Sequence, residues 1–218
     1  MVTKASPPLR PPGAKPEKVF PATCIRCGLC LQACPVRAIH LGDVDLGFGV
    51  GTPYIAARAQ ACGFSCEQRA CVRACPTGAL DRGIVKLPLT RSRMGFAVLV
   101  DPERCSQVRS RPFKGLVGGP HPTGVLRRRR GAEWESRPLA QHPYDLDGPC
   151  DLCVRECPVP FAIRIDTPPE PQAPGDNTPR PIVTKNCLGC GVCEMVCPAD
   201  PACIRIQARM EPPPTASS

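Results

Sequence analysis

Cys24-Ile25-Arg26-Cys27-Gly28-Leu29-Cys30-Leu31-Gln32-Ala33-Cys34-Pro35 lies near one end of the chain. Cys187-Leu188-Gly189-Cys190-Gly191-Val192-Cys193-Glu194-Met195-Val196-Cys197-Pro198 repeats its cysteine spacing near the other. On a tightly turning loop, cysteines three residues apart aim three thiolates at three corners of one cubane. The fourth sits beyond the turn and points to a second cubane, and this C-x2-C-x2-C-x3-C-P run is the bacterial pattern for holding [4Fe–4S] clusters. The proline removes a backbone donor and fixes φ where the chain leaves the site. Gly28, Gly189 and Gly191 let backbone amides approach the sulfurs.

Two variants of the run lie between these. One is Cys62, Cys66, Cys71 and Cys75 followed by Pro76; the other is split, with Cys105 far ahead of Cys150, Cys153 and Cys157-Pro158. Sixteen of the 17 cysteines are thereby candidate iron ligands, enough for four [4Fe–4S] clusters. The remaining one, Cys203, falls in the apolar stretch Ala202-Cys203-Ile204 and reads as a small hydrophobe. Structural zinc prefers two separated C-x2-C pairs or Cys/His mixtures, and the chain has only 3 histidines. His40, His121 and His142 sit in no ligand motif. A secreted disulfide framework favours an even cysteine count and a signal peptide.

Composition agrees with a chain held together by something other than side-chain packing. The 218 residues include 30 prolines and 19 glycines, against 6 Phe, 2 Tyr and 1 Trp. Such a chain supports neither long helices nor a conventional core. The formal charge of +9 counts every cysteine as neutral. Four cubanes, each carrying a net charge of about −2 with its thiolates, reduce it to about +1, which removes most of the case for nucleic-acid binding. No apolar run approaches the length of a transmembrane helix, and no signal peptide is visible at the start as given. No triad, phosphate loop or carboxylate pair suggests a substrate site, so the chain reads as an electron carrier and not an enzyme.

Short alternating stretches follow each run: Ala38–Leu41, Ala79–Asp81, Ala162–Ile165 and Ala202–Ile206. Others precede the third and fourth runs, at Ala97–Val100 and Pro181–Val183. The repeated unit is strand, cysteine loop, a helical turn bearing the last cysteine, and strand. The expected fold is α+β: tandem ferredoxin-like repeats organised around four iron–sulfur clusters, with long irregular loops. Residues 1–20 form a flexible Pro/basic segment. Residues 21–105 carry motifs one and two and the start of motif three, 150–206 carry motifs three and four, and 207–218 form a flexible tail. Six prolines make 167–181 a stiff connector. Residues 106–149 are a basic insertion, with eight Lys/Arg against four Asp/Glu. They are expected to be a solvated excursion, with contact to an acidic partner or a membrane surface as the alternative.

Further residues sharpen the reading. Arg10-Pro11-Pro12-Gly13-Ala14 ahead of the first run, Gly51-Thr52-Pro53-Tyr54 with Ala57-Arg58, Cys75-Pro76-Thr77-Gly78-Ala79-Leu80-Asp81-Arg82, and Arg93-Met94-Gly95-Phe96 resemble the MauM/NapG-type ferredoxins. The resemblance spans about residues 9–105 and 150–206. It implies four [4Fe–4S] clusters on the sixteen cysteines and a membrane-bound quinol dehydrogenase-type ferredoxin or a redox enzyme subunit as partner. Nitrate reduction and methylamine oxidation are the settings that named the family. The place implied is periplasmic if the family's export signal lies outside this start, and cytoplasmic otherwise. The alternative is the iron–sulfur subunit of a cytosolic molybdoenzyme or hydrogenase complex. Related four-cluster subunits imply pairing of motif one with four and two with three; similar tails after motifs one and two favour sequential pairing instead.

Overall fold

A computed structural model describes residues 7–44, 49–107, 109–119, 122–167 and 177–209. The expected flexible tail, the middle of the proline-rich connector and His121 fall mostly or wholly outside these residues.

The helices are single turns, as the proline and glycine content demands: α1 Phe20–Thr23, α2 Leu29–Gln32, α3 Ala70–Ala74, α4 Leu152–Arg155 and α5 Val192–Met195. The last four carry Cys30, Cys71, Cys153 and Cys193, which are the third cysteines of their motifs. The sequence places the last cysteine on the helical turn; instead it follows the helix end. A fourth thiol that must face a different group has to leave the helical path. Gly191, at φ +90°, starts α5, and a Cβ there would lie 2.6 Å from that of Ala57, so glycine is required twice over.

Among the described residues ten strands pair into five antiparallel ribbons: β1 Ile39–Leu41 with β2 Pro53–Ile55, β3 Gly95–Leu99 with β10 Ile204–Ala208, β4 Pro112–Gly115 with β7 Tyr144–Pro149, β5 Val125–Arg130 with β6 Glu133–Pro138, and β8 Ile163–Asp166 with β9 Arg180–Val183. Strands appear after motifs one, three and four where alternation predicts them. After motif two the stretch makes only a single bridge, Leu80 to Ala14.

Among the described residues two buried clusters form the core. The larger joins Phe20, Val72 and Leu80 of the first half to Leu152 and Met195 of the second. The smaller centres on Ala97, Ala162, Ile163 and Ile204. Two expectations fail here. The described residues of 106–149 are not a solvated excursion: Val117, Leu126, Leu139 and Leu146 are buried in the larger cluster. Gln60 pins the β5 strand from the first half, accepting from Val125 N at 2.8 Å and donating to its carbonyl at 3.1 Å. Likewise, the N-terminal segment is not loose where it is described: residues 9–13 and Phe20 are buried, and only 17–19 are exposed. Arg10 is buried, pairs with Glu17 and donates to Thr52 Oγ1 at 2.8 Å and to the Pro53 carbonyl at 2.9 Å. The guanidinium fork organises a proline-rich stretch that composition alone reads as loose.

Candidate metal centres

The sixteen motif cysteines come together as four groups of four. Cys24, Cys27, Cys30 and Cys75 line one cavity, walled by Phe20, Ile25 and Leu80. Cys34 lies with Cys62, Cys66 and Cys71, whose thiols interact electrostatically with one another. Cys157 lies with Cys187, Cys190 and Cys193. Cys105 lines a second cavity with Cys150, Cys153 and Cys197, so the split motif is closed in space despite the long gap.

Each motif thus shares its last cysteine with one partner motif, and the pairing is one with two and three with four. Pairing of one with four and two with three is corrected: Cys34 faces Cys71, not Cys190. Helix packing is the physical reason. The β1–β2 hairpin returns the chain so that α2 packs on α3, and α4 packs on α5 in the same way.

The groups stand in file. The two inner ones, that of Cys34, Cys62, Cys66 and Cys71 and that of Cys157, Cys187, Cys190 and Cys193, adjoin where Cys62 N donates to the Cys190 carbonyl at 3.0 Å. Arg58 clamps the same junction. It donates to the carbonyls of Glu194 (2.8 Å), Cys197 (2.8 Å) and Ala199 (2.7 Å), which are oxygens at and beyond the end of α5.

The donor chemistry fits [4Fe–4S] cubes. Every group is all thiol, and among the described residues no His, Cys, Asp and Glu side chains converge on a point a single metal ion could occupy. Amides aim at the sulfurs of the last cysteines: Ala38 N to Cys34 Sγ (3.3 Å), Leu80 N to Cys75 Sγ (3.4 Å) and Cys203 N to Cys197 Sγ (3.4 Å), with Ala97 N to Cys187 Sγ (3.4 Å) besides. Burial pushes the thiols of Cys30 and Cys150 up to about 11, those of Cys71 and Cys190 up to about 12, and those of Cys62, Cys153 and Cys193 up as well. A ligand entering such a site displaces protons, which couples its binding to pH. Cys75 is the reverse case: burial opposes ionisation, but the Leu80 amide and the Thr77 hydroxyl outweigh it and lower the thiol. Cys197 is lowered chiefly by a hydrogen bond from the Cys203 side chain. Cys203, 1% exposed at the wall of the Cys105 group, packs in the smaller apolar cluster, and its backbone amide donates to Cys197 Sγ at 3.4 Å. Its position just before β10 matches that of Ala38 before β1, which was the available signal.

Residues 23–79 match the model of a 4Fe–4S dicluster domain, and residues 184–200 match that of a 4Fe–4S binding domain. The chain is 35% identical over 200 residues to the ferredoxin-type protein NapG of Escherichia coli (strain K12), covering 91% of this chain and 69% of that protein. It is 35% identical over 214 residues to the methylamine utilization ferredoxin-type protein MauM of Paracoccus denitrificans (strain Pd 1222), covering 96% and 77%. For MauM of Methylorubrum extorquens the identity is 34% over 205 residues, covering 92% and 73%.

Proposed function

Since the chain belongs to the NapG and MauM family of ferredoxin-type proteins, we propose that it is a polyferredoxin of tandem ferredoxin-like repeats. It carries four [4Fe–4S] clusters on its sixteen motif cysteines and relays electrons between a membrane quinol-oxidising partner and a redox enzyme. The terminal enzyme belongs to a nitrate-reducing or methylamine-oxidising type of system, as the relatives' names suggest. The observation that carries this reading is the file of four all-thiol groups, with the inner two in contact at Cys62 and Cys190.

Bound clusters would supply one-electron transfer, and no bond to a substrate is made or broken. The protein's part is placement. The α2–α3 and α4–α5 pairs hold each half's two groups, and Arg58 holds the halves together. Amides at Cys34, Cys75, Cys187 and Cys197 stabilise charge on sulfur. At one end Cys27 is exposed, with Ile25 and Leu29 beside it also exposed, so this end suits exchange with a partner.

The test uses purified holo-protein, anaerobic membrane vesicles from the native cells and a quinol. The visible absorbance of the oxidised protein should bleach with vesicles and quinol together and stay unchanged with either alone. Bleaching by a soluble molybdoenzyme or hydrogenase fraction with its own reducing substrate (an oxidisable molybdoenzyme substrate or hydrogen gas), without vesicles or quinol, would replace this reading by that of a subunit of a cytosolic complex.

A further inference from the structure

Two arginines crowd one of the four groups. Arg69, three residues after Cys66, is only 7% exposed, yet its guanidinium meets neutral oxygens: Ser92 Oγ, the Val85 carbonyl at 2.9 Å and the Leu87 carbonyl at 2.8 Å. Gln68 (φ +49°) and Arg69 (φ +52°) both take left-handed backbone to bring it there, a conformation that non-glycine residues adopt at a cost of about 1–2 kcal/mol each. Arg127, from the inserted β5, reaches across to the Ser65 carbonyl at 2.9 Å, beside Cys66, with its guanidinium 4.8 Å from the centre of the Trp134 ring.

Among the described residues neither guanidinium meets a carboxylate. Arg69 is buried and Arg127 half-buried, and a buried cation without an anion is costly, so a negative charge belongs nearby. Cys66 and Cys71 are what Arg69 faces, and Cys66 is what Arg127 faces. Glu67, the acid nearest in sequence, is exposed.

The neighbouring inner group is built differently. Arg128 lies near Cys157, but it is paired at 2.8 Å with the buried Glu156, which Arg137 also holds at 2.9 Å. One carboxylate is shared there by two guanidinia, so a net positive charge of one remains, against two arginines without a carboxylate beside Cys66.

We propose that Arg69 and Arg127 are the counter-charges of the centre held by Cys34, Cys62, Cys66 and Cys71, and that they hold it at a higher reduction potential than the centre held by Cys157, Cys187, Cys190 and Cys193. The inference rests on the four-cluster reading above. Adding an electron beside two positive charges in a low-dielectric interior is favoured, and net charge and burial are among the levers that set cluster potentials. The downhill step of the relay then lies at the Cys62–Cys190 junction, running from the second half into the first. The insertion is thereby a tuning element as well as a structural one.

The experiment is an anaerobic redox titration of the holo-protein followed by EPR, with iron and acid-labile sulfide counted for every sample. Cys66→Ser and Cys157→Ser identify the two inner centres, whether each alters its signal or removes it. In the native protein the Cys66-dependent signal is expected to appear at the higher potential. Arg127→Gln should move that signal alone to lower potential, and Arg127→Lys should restore it. The inference is overturned if the Cys66-dependent centre is the lower of the two, a comparison that needs no arginine variant. It is also overturned if Arg127→Gln, with full iron, leaves the signal in place or moves all signals together. Native protein lacking iron and sulfide would overturn the cluster reading itself.

Discussion

Arg58→Ala tests how the two halves are held at the point where the inner thiol groups adjoin. The guanidinium makes three hydrogen bonds to carbonyls of the fourth motif, at 2.8, 2.8 and 2.7 Å. Hydrogen bonds to a charged group contribute about 1.5–3 kcal/mol each when well buried. The Arg58 side chain is 26% exposed, so about 1 kcal/mol each is the appropriate scale, or about 3 kcal/mol in all. The ion pair with Asp200, at 3.8 Å and on an exposed carboxylate, adds little. If opening of this junction is the step that lets clusters escape, a barrier lower by about 3 kcal/mol speeds escape on the order of 10²-fold. The assay is anaerobic decay of visible absorbance in excess iron chelator, a kinetic measure suited to a protein whose unfolding destroys its cofactor. Arg58→Lys keeps the charge but not the planar fork, and should recover at most part of the loss. A release rate within about twofold of the native protein for Arg58→Ala would refute the reasoning. So would an Arg58→Lys protein indistinguishable from native.

Three further outcomes follow from the same geometry. Gly189→Ala puts a Cβ 2.4–2.6 Å from the Gly95 backbone at φ +70°; overpacking and left-handed strain together should destabilise by about 2–4 kcal/mol, read as cluster loss at lower temperature. Replacing residues 112–147 by a short Gly/Ser linker removes buried Val117, Leu126, Leu139 and Leu146, worth about 1.5–3 kcal/mol each, so iron content should fall rather than stay intact. Cys203→Ala should retain full iron, because four other thiols line that cavity and the backbone amide that donates to Cys197 Sγ is kept.

The cysteine motifs were legible because most of the thiols that meet in a group lie within ten residues of one another, and that spacing survives in the sequence; the fourth thiol of each group, and Cys105, come from farther along the chain. Also legible were β1, β8 and β10, whose alternation is local. Pairing was legible only in the similar tails after motifs one and two, which favour the sequential arrangement found. It depends on α2 packing on α3, a choice between helices that look alike in sequence. The insertion misled for a similar reason. Four consecutive arginines read as a solvated face, yet Arg127 is anchored by Ser65 and Trp134, and Arg128 by Glu156, all remote or unremarkable in sequence. Arg10 is the same case at the N-terminal side: its partners Thr52 and Pro53 are more than forty residues away.

The most direct test of the whole account is iron and acid-labile sulfide per chain in anaerobically purified protein, with EPR of the dithionite-reduced form. The account predicts about sixteen of each, with the interacting signals of reduced cubanes in contact. About twelve would contradict it at the group split between Cys105 and Cys150, and zinc without sulfide would contradict it altogether.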